Sequence, residues 1–376
     1  MISDLTPLSL TRKLLRFNTM NPPGHERECA QYLGSLLEGA GFKVTFYDFA
    51  EARTNLIARL EGTGQKSPIC FTGHTDTIPL GATPWKWDPF TGETQGDKLY
   101  GRGASDMKGG LAAMVIAALR LAEGPSPQSG ITLVITAGEE TGCQGAYHLA
   151  RLDRVLAAAG ALVVGEPTSN FPLVGHKGAL WLEARTTGIA AHGSMPDQGV
   201  NAIYKAARAV MTLSNYDFGI SPHPTLGPPT LNVGTISGGI NINSVPDEAL
   251  IGIDIRTIPG QTNKAVHEKL ASRLGAEWEL KSLVDVDGVA TDPAGSWVQD
   301  VFRIMKPYLK MQPVARGGTY FTDASVLTPA LGQPPTLILG PGEPTMAHRT
   351  DEWCAVSKIE EASEAYLEIA KQWCGL

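Results

Sequence analysis

A chain of 376 residues, 43% hydrophobic and 18% charged, is longer than one typical core and is expected to form two domains. Its net charge of −7 supplies no broad positive field for nucleic acid or an anionic membrane, so neither is an expected partner. No run approaches the roughly 18–20 apolar residues that a membrane-spanning helix needs.

The opening "MISDLTPLSLTRKLLRF", with Asp4 early, reads as an amphipathic first helix. It lacks the basic start, apolar block and small-residue cleavage site of a secretory leader, which is not expected there. "ECAQYLGSLLEGAG" has helical spacing and stops at Gly41. "KVTFYDF", "NLIARL" and "PICFTG" follow as short strands, then "DMKGGLAAMVIAALRLAEG" as a long small-residue helix, and "GITLVITAG" and "ALVVGEP" as buried strands with loops behind them. This alternation predicts an α/β fold: a mixed sheet, parallel at its centre, flanked by helices. In such sheets ligand groups gather beyond the carboxyl ends of strands.

From about Lys177 the texture changes. "ALWLEARTTG" and "ALIGIDIRTIP" alternate as strands, while "NAIYKAARAVMTLSN" and "TNKAVHEKLASRLG" read as amphipathic helices. An inserted α+β domain over 177–289 is expected, dividing a larger domain made of 1–176 and 290–376. After it come the helix "SWVQDVFRIMKPYL" and the strand "PTLILGPG". Cys29, Cys70, Cys143, Cys354 and Cys374 are scattered and odd in number. They fit reduced thiols in the cytoplasm better than a disulfide framework, and any metal must be held by His, Asp and Glu.

Five strand-to-loop junctions offer such groups. "GHTDTIP" places His74 and Asp76 on one face of an extended chain. In "LYGRGASDMKGG", Asp106 opens the long helix, where a carboxylate serves equally as an N-cap. "TAGEETG" sets Glu139 beside Glu140; side by side and buried, they repel unless a cation or protons compensate, though a solvated helix start would also suit them. "VVGEPT" carries Glu166, and "GPGEPTMAHRTDEW" carries His348. This donor mix suits Zn²⁺, with Co²⁺ or Mn²⁺ as substitutes. Two histidines and three carboxylates hold two metals if one carboxylate bridges, leaving a fourth to act on water.

In this order "GHTDTIP", "LYGRGASDMKGG", "AGEETG", "VGEPT" and "AHRTDEW" resemble the zinc-dependent aminoacylase/carboxypeptidase family, which includes acetylornithine deacetylase and succinyl-diaminopimelate desuccinylase. The resemblance runs from about residue 18 to 353. It implies a zinc exopeptidase-like fold with the inserted domain as lid and homodimer contact. It also implies two Zn²⁺ per chain, one held by His74, Asp106 and Glu166, the other by Asp106, Glu140 and His348. Asp76 would orient His74, and a strained peptide would follow Asp106. Glu139 would be the general base, and His192, in "AAHGSM", would reach the partner subunit's site.

In the inserted domain, Asn241 and Arg256 offer contacts to an N-acyl amino acid or short peptide substrate. Arg256 could clamp a carboxylate or simply pair with Asp254. Gly318 and Thr319, in "RGGTYFTD", could hold a second polar group, while His176 and Lys177 match the hinge into the lid. Within that family, "GDKLYGRGASDMKGG" and "GHKG" resemble acetylornithine deacetylase closely. "GGTYFTDAS" departs from the desuccinylase pattern without establishing acetylornithine as substrate, and a succinyl-diaminopimelate desuccinylase, or a carboxypeptidase or dipeptidase using the same metals, stays an alternative.

Overall fold

The computed structural model describes residues 5–376; Asp4 and the rest of Met1–Asp4 lie outside them. Two compact units emerge: Met1–Gly175 with Ala290–Arg316 and Thr322–Leu376, and His176–Val289 with Gly317–Phe321.

In the larger unit the chain begins with helix Pro7–Leu15, whose first turn is closed by a reciprocal cap between Thr6 and Ser9 with proline at the start. Six strands then form one sheet, in the order Lys43–Ala50, Arg53–Leu60, Ile131–Thr136, Ile69–His74, Ala161–Val164 and Thr336–Ile338. The first two strands are a hairpin, and the second pairs antiparallel with Ile131–Thr136. From there onward every pairing is parallel. Ile69–His74, Ile131–Thr136 and Ala161–Val164 are buried along their whole length. That explains why they read as continuous apolar runs rather than alternating ones.

Helices Pro7–Leu15, Arg27–Gly39, Gly109–Ala122, Ser296–Leu309 and Val356–Cys374 share one buried cluster with these strands. Gly109–Ala122 is apolar on nearly every side and packs closely. A Cβ on Gly110 would stand 2.1 Å from the Gly165 carbonyl oxygen, so only glycine lets the helix meet the loop after strand Ala161–Val164 there. The five cysteines are buried free thiols. Among the described residues, no helix is long and apolar enough to cross a membrane.

The smaller unit is an antiparallel four-stranded sheet in the order Thr230–Gly238, Glu248–Arg256, Ala179–Thr187, Trp278–Val286. Leu180, Leu182, Ala184, Ile251, Ile253 and Ile255 turn inward to a core that also holds Ala209 and Leu213 of helix Ala202–Leu213, and Val266 and Leu270 of helix Asn263–Leu274. Each helix is capped at its start, by Asn201 and Thr262 respectively.

Candidate metal centre and active site

Parallel register decides which side chains meet. His74 lies opposite Thr136, and Thr72 opposite Val164. The chain therefore leaves these strands at one edge of the sheet, delivering His74, the Glu139–Glu140 turn and Glu166 to a common place. Asp106 arrives from elsewhere. The long helix begins at Gly109, not at Asp106, whose φ of −120° and ψ of 92° are not helical. The glycine-rich run ahead of the helix makes a separate turn, with Gly103 at φ +87° and a cis peptide between Asp106 and Met107. Asp106 is thus no helix cap; its side chain is free to face the sheet edge.

One oxygen of Asp106 stands 3.2 Å from His74 Nε2, and the other 3.5 Å from His348 Nε2. Glu166 Oε1 is 3.6 Å from His74 Nε2, and Glu140 Oε2 is 3.0 Å from His348 Nε2. Ligand atoms of His74, Asp106 and Glu140, and likewise of His74, Glu139 and Glu166, fall within 4.8 Å of one another. A single carboxylate presenting one oxygen to each of two imidazoles is the arrangement a bridging ligand requires.

Electrostatics make the cluster costly as it stands. Burial pushes Glu139 and Glu166 well above the usual carboxylate range, with charged neighbours adding to it: Glu166 against Glu139, and Asp106 against Glu166. Burial and the charge on Asp106 lift Glu140 to about 7, although its hydrogen bond with His348 opposes the rise. Burial opposes charge on His74, yet Glu166, Asp106 and Asp76 outweigh it and raise its pKa. Four acids converge on the buried His74 and the more exposed His348, three of them (Glu139, Glu140 and Glu166) displaced upward while the imidazoles pull Asp106 down, and such a set fits divalent cations that offset the mutual repulsion.

Asp76 does more than face an imidazole. His74 Nδ1 lies 2.9 Å from the Asp76 main-chain oxygen and 3.4 Å from its carboxylate. The carboxylate also accepts backbone N–H bonds from Gly138, Glu139 and Glu140 at 2.8, 3.1 and 3.2 Å. A fourth bond comes from Asn21 Nδ2 at 2.9 Å, and Asn21 also donates to Thr141. Asp76 therefore holds the turn that carries Glu139. Burial alone would raise its pKa, but these donors and His74 bring it down to about 2.

Sequence reasoning assigned no role to Asn21, Asp323 or Glu352. Asp323 is buried behind the same turn and accepts from Thr136 Oγ1. Glu352, inside the "AHRTDEW" run, is buried and accepts from Arg102 and three backbone amides. The one signal available was a carboxylate amid a motif otherwise rich in candidate ligands.

The other predicted residues lie in the smaller unit. His192, exposed, bonds to Ser194 through Nδ1. Asn241 sits in an exposed loop between Ile240 and Ile242, both almost fully solvated. Arg256 is engaged with Asp254, its Nε 2.9 Å from Oδ1, and lies over the Trp181 ring. Gly318 accepts from the Lys177 N–H, and Thr319 is exposed beside it. His176 is buried with its pKa lowered to about 4 by burial, and Lys177 Nζ donates to the Pro228 carbonyl.

Acids and imidazoles gathered at the carboxyl edge of the sheet's parallel part could hold metal ions, and together with the family and relatives that follow they make the chain a metal-dependent amide hydrolase. The profile of peptidase family M20/M25/M40 matches residues 70–372, and the chain belongs to that family. It is 30% identical to a probable succinyl-diaminopimelate desuccinylase of Staphylococcus epidermidis, across 99% of this chain and 98% of the relative. It is 32% identical to an acetylornithine deacetylase of Proteus mirabilis, across 91% of this chain and 89% of the relative. The fold superposes on an M20 family metallo-carboxypeptidase from Sulfolobus solfataricus with a TM-score of 0.84 at 20% identity, covering 99% of this chain and 100% of that one.

Proposed function

We propose that the protein removes the acyl group from an N-acyl amino acid, in the manner of an acetylornithine deacetylase. His74, Asp106 and Glu166 would hold one Zn²⁺, and Asp106, Glu140 and His348 a second. Divalent cations bound there would supply Lewis acidity, lowering the pKa of a water and polarising the scissile carbonyl. A Glu139 carboxylate oxygen takes the proton of the attacking water as its oxygen bonds to the acyl carbon, and returns the proton to the amine nitrogen as the C–N bond breaks. Asp76 keeps Glu139 in reach by gripping the amides of Gly138, Glu139 and Glu140. One observation carries this reading: Asp106 faces both histidines, one with each oxygen.

In the smaller unit, a lid in this reading, Arg256 clamps the amino-acid carboxylate and Asn241 adds a substrate contact, with Gly318 and Thr319 contacting a further polar group. A homodimer through that unit lets His192 serve the partner subunit's site. Unpaired buried thiols support a cytoplasmic location.

The test is a side-by-side assay of N-acetylornithine, N-succinyl-diaminopimelate and a dipeptide panel, with Glu139→Gln as control. Deacetylation should dominate. The variant should lose about 10²- to 10⁴-fold in kcat, as expected when a general base is removed, while keeping its metal. Preference for the succinylated substrate or for dipeptides would overturn the acyl assignment, and an active Glu139→Gln would overturn the base.

A further inference from the structure

Glu352 sits where two distant segments are joined. Strand Trp353–Ala355 pairs antiparallel with Lys98–Tyr100, and the Gly101 N–H donates to the Glu352 main-chain oxygen. This pairing carries the Glu352 side chain beneath the turn 102–106, where it is wholly buried. Arg102 Nη1 lies 2.7 Å from Oε2, and the Gly103 N–H 2.9 Å. The Ser105 and Asp106 N–H groups reach Oε1 at 2.8 and 3.0 Å. Backbone amides converging in this way form a nest that favours an anion, and bonds to a charged acceptor are the stronger kind. Ser105 Oγ closes the same junction by donating to the Trp353 carbonyl and accepting from the Glu343 N–H.

One of these segments carries Asp106 and the other His348, four residues before Glu352. The main-chain amide of Asp106 is thus fixed by a residue of the His348 segment, while its side chain faces the His348 ring at 3.5 Å. We infer that Glu352 is a positioning residue that sets the spacing of Asp106 from His348 and so builds the cation site those two share with Glu140. Glu352 touches neither substrate nor cation; it acts through the backbone. His74 and Glu166, by contrast, are placed by their own strands. The effect of losing Glu352 therefore falls on one site more than the other. The inference rests on the ligand set proposed above.

Glu352→Gln tests it. An amide keeps one acceptor oxygen but turns N–H groups toward half of the donors. Metal-free wild type and variant are titrated with Co²⁺ and followed by visible absorbance, with far-UV circular dichroism to verify folding. Wild type should show two binding events. In the variant one of the two events, that of the site shared by Asp106, Glu140 and His348, should lose about 10- to 100-fold in affinity, the scale of defects behind metal ligands, while the other shifts less than threefold. A folded variant that binds both ions as wild type does would overturn the inference, even if its Tm falls, because a purely structural role moves only the latter. Wild type binding fewer than two ions would instead defeat the ligand assignment beneath it. Should the variant not fold, hydrogen exchange in wild type decides: the amides of Gly103, Ser105 and Asp106 should be protected, and exchange at open-loop rates would overturn the inference.

Discussion

Asp76→Asn removes a charge without changing shape. Asp76 Oδ1 accepts from Gly138 and Glu139, and Oδ2 from Glu140 and Asn21. In the amide one oxygen becomes NH₂, so whichever way it turns, two donors lose their acceptor and meet another donor. Hydrogen bonds to a charged group contribute about 1.5–3 kcal/mol each, so two lost bonds cost about 3–6 kcal/mol. That is a large share of the roughly 5–15 kcal/mol that holds a folded domain. Urea unfolding at pH 7, followed by circular dichroism, should show a loss in this range.

The pH dependence follows from the depressed pKa. In the fold Asp76 titrates at about 2 against an ordinary 3.8. Its contribution is complete above the unfolded value and disappears as pH falls through the folded one. The gap between wild type and Asp76→Asn should narrow from pH 4 towards pH 2. A loss below about 1 kcal/mol at neutral pH, set against the charged-bond scale, would refute the claim that this carboxylate holds the Glu139 turn.

Further outcomes follow from the packing and the site. Gly110→Ala, whose Cβ would lie 2.1 Å from the Gly165 oxygen, should cost about 1–3 kcal/mol as an overpacked contact and weaken metal uptake through Glu166; thermal melts and metal analysis read both. Arg53→Met should cost about 3–5 kcal/mol by leaving Glu26 buried without its cation, since Arg53 Nη2 lies 2.7 Å from Glu26 Oε1. Adding Glu26→Gln should recover part of that loss in urea unfolding. Chains carrying His192→Ala, mixed with chains carrying Glu139→Ala, should regain activity if His192 serves the partner; a verified mixed dimer without recovery would count against it.

Much of the candidate centre was legible because several of its acids and His74 follow apolar runs. Strands such as "PICFTG", "GITLVITAG" and "ALVVGEP" announce themselves by continuous burial, and the group after each falls at the sheet's carboxyl edge by parallel geometry alone. Helix Ser296–Leu309 coincides with its predicted run. The start of the long helix was misread, because "SDMKGG" offers a conventional cap while the backbone turns first and begins the helix at Gly109. Strands Thr230–Gly238 and Trp278–Val286 drew no expectation. Both are sheet edges, largely exposed, and each alternates only briefly before a register shift, between Val233 and Thr235 and between Ser282 and Val284, breaks the pattern. Glu352 was hidden for a different reason, and so was the second task of Asp76, which the sequence showed only as a neighbour of His74: both carboxylates act on backbone amides, and a backbone amide leaves no mark in a sequence.

Anomalous diffraction from crystals grown with zinc tests the account at its root. Two peaks should flank Asp106, one against His74 and Glu166, the other against Glu140 and His348, with Glu139 bound to neither. A single peak, or peaks that do not share Asp106, would contradict it.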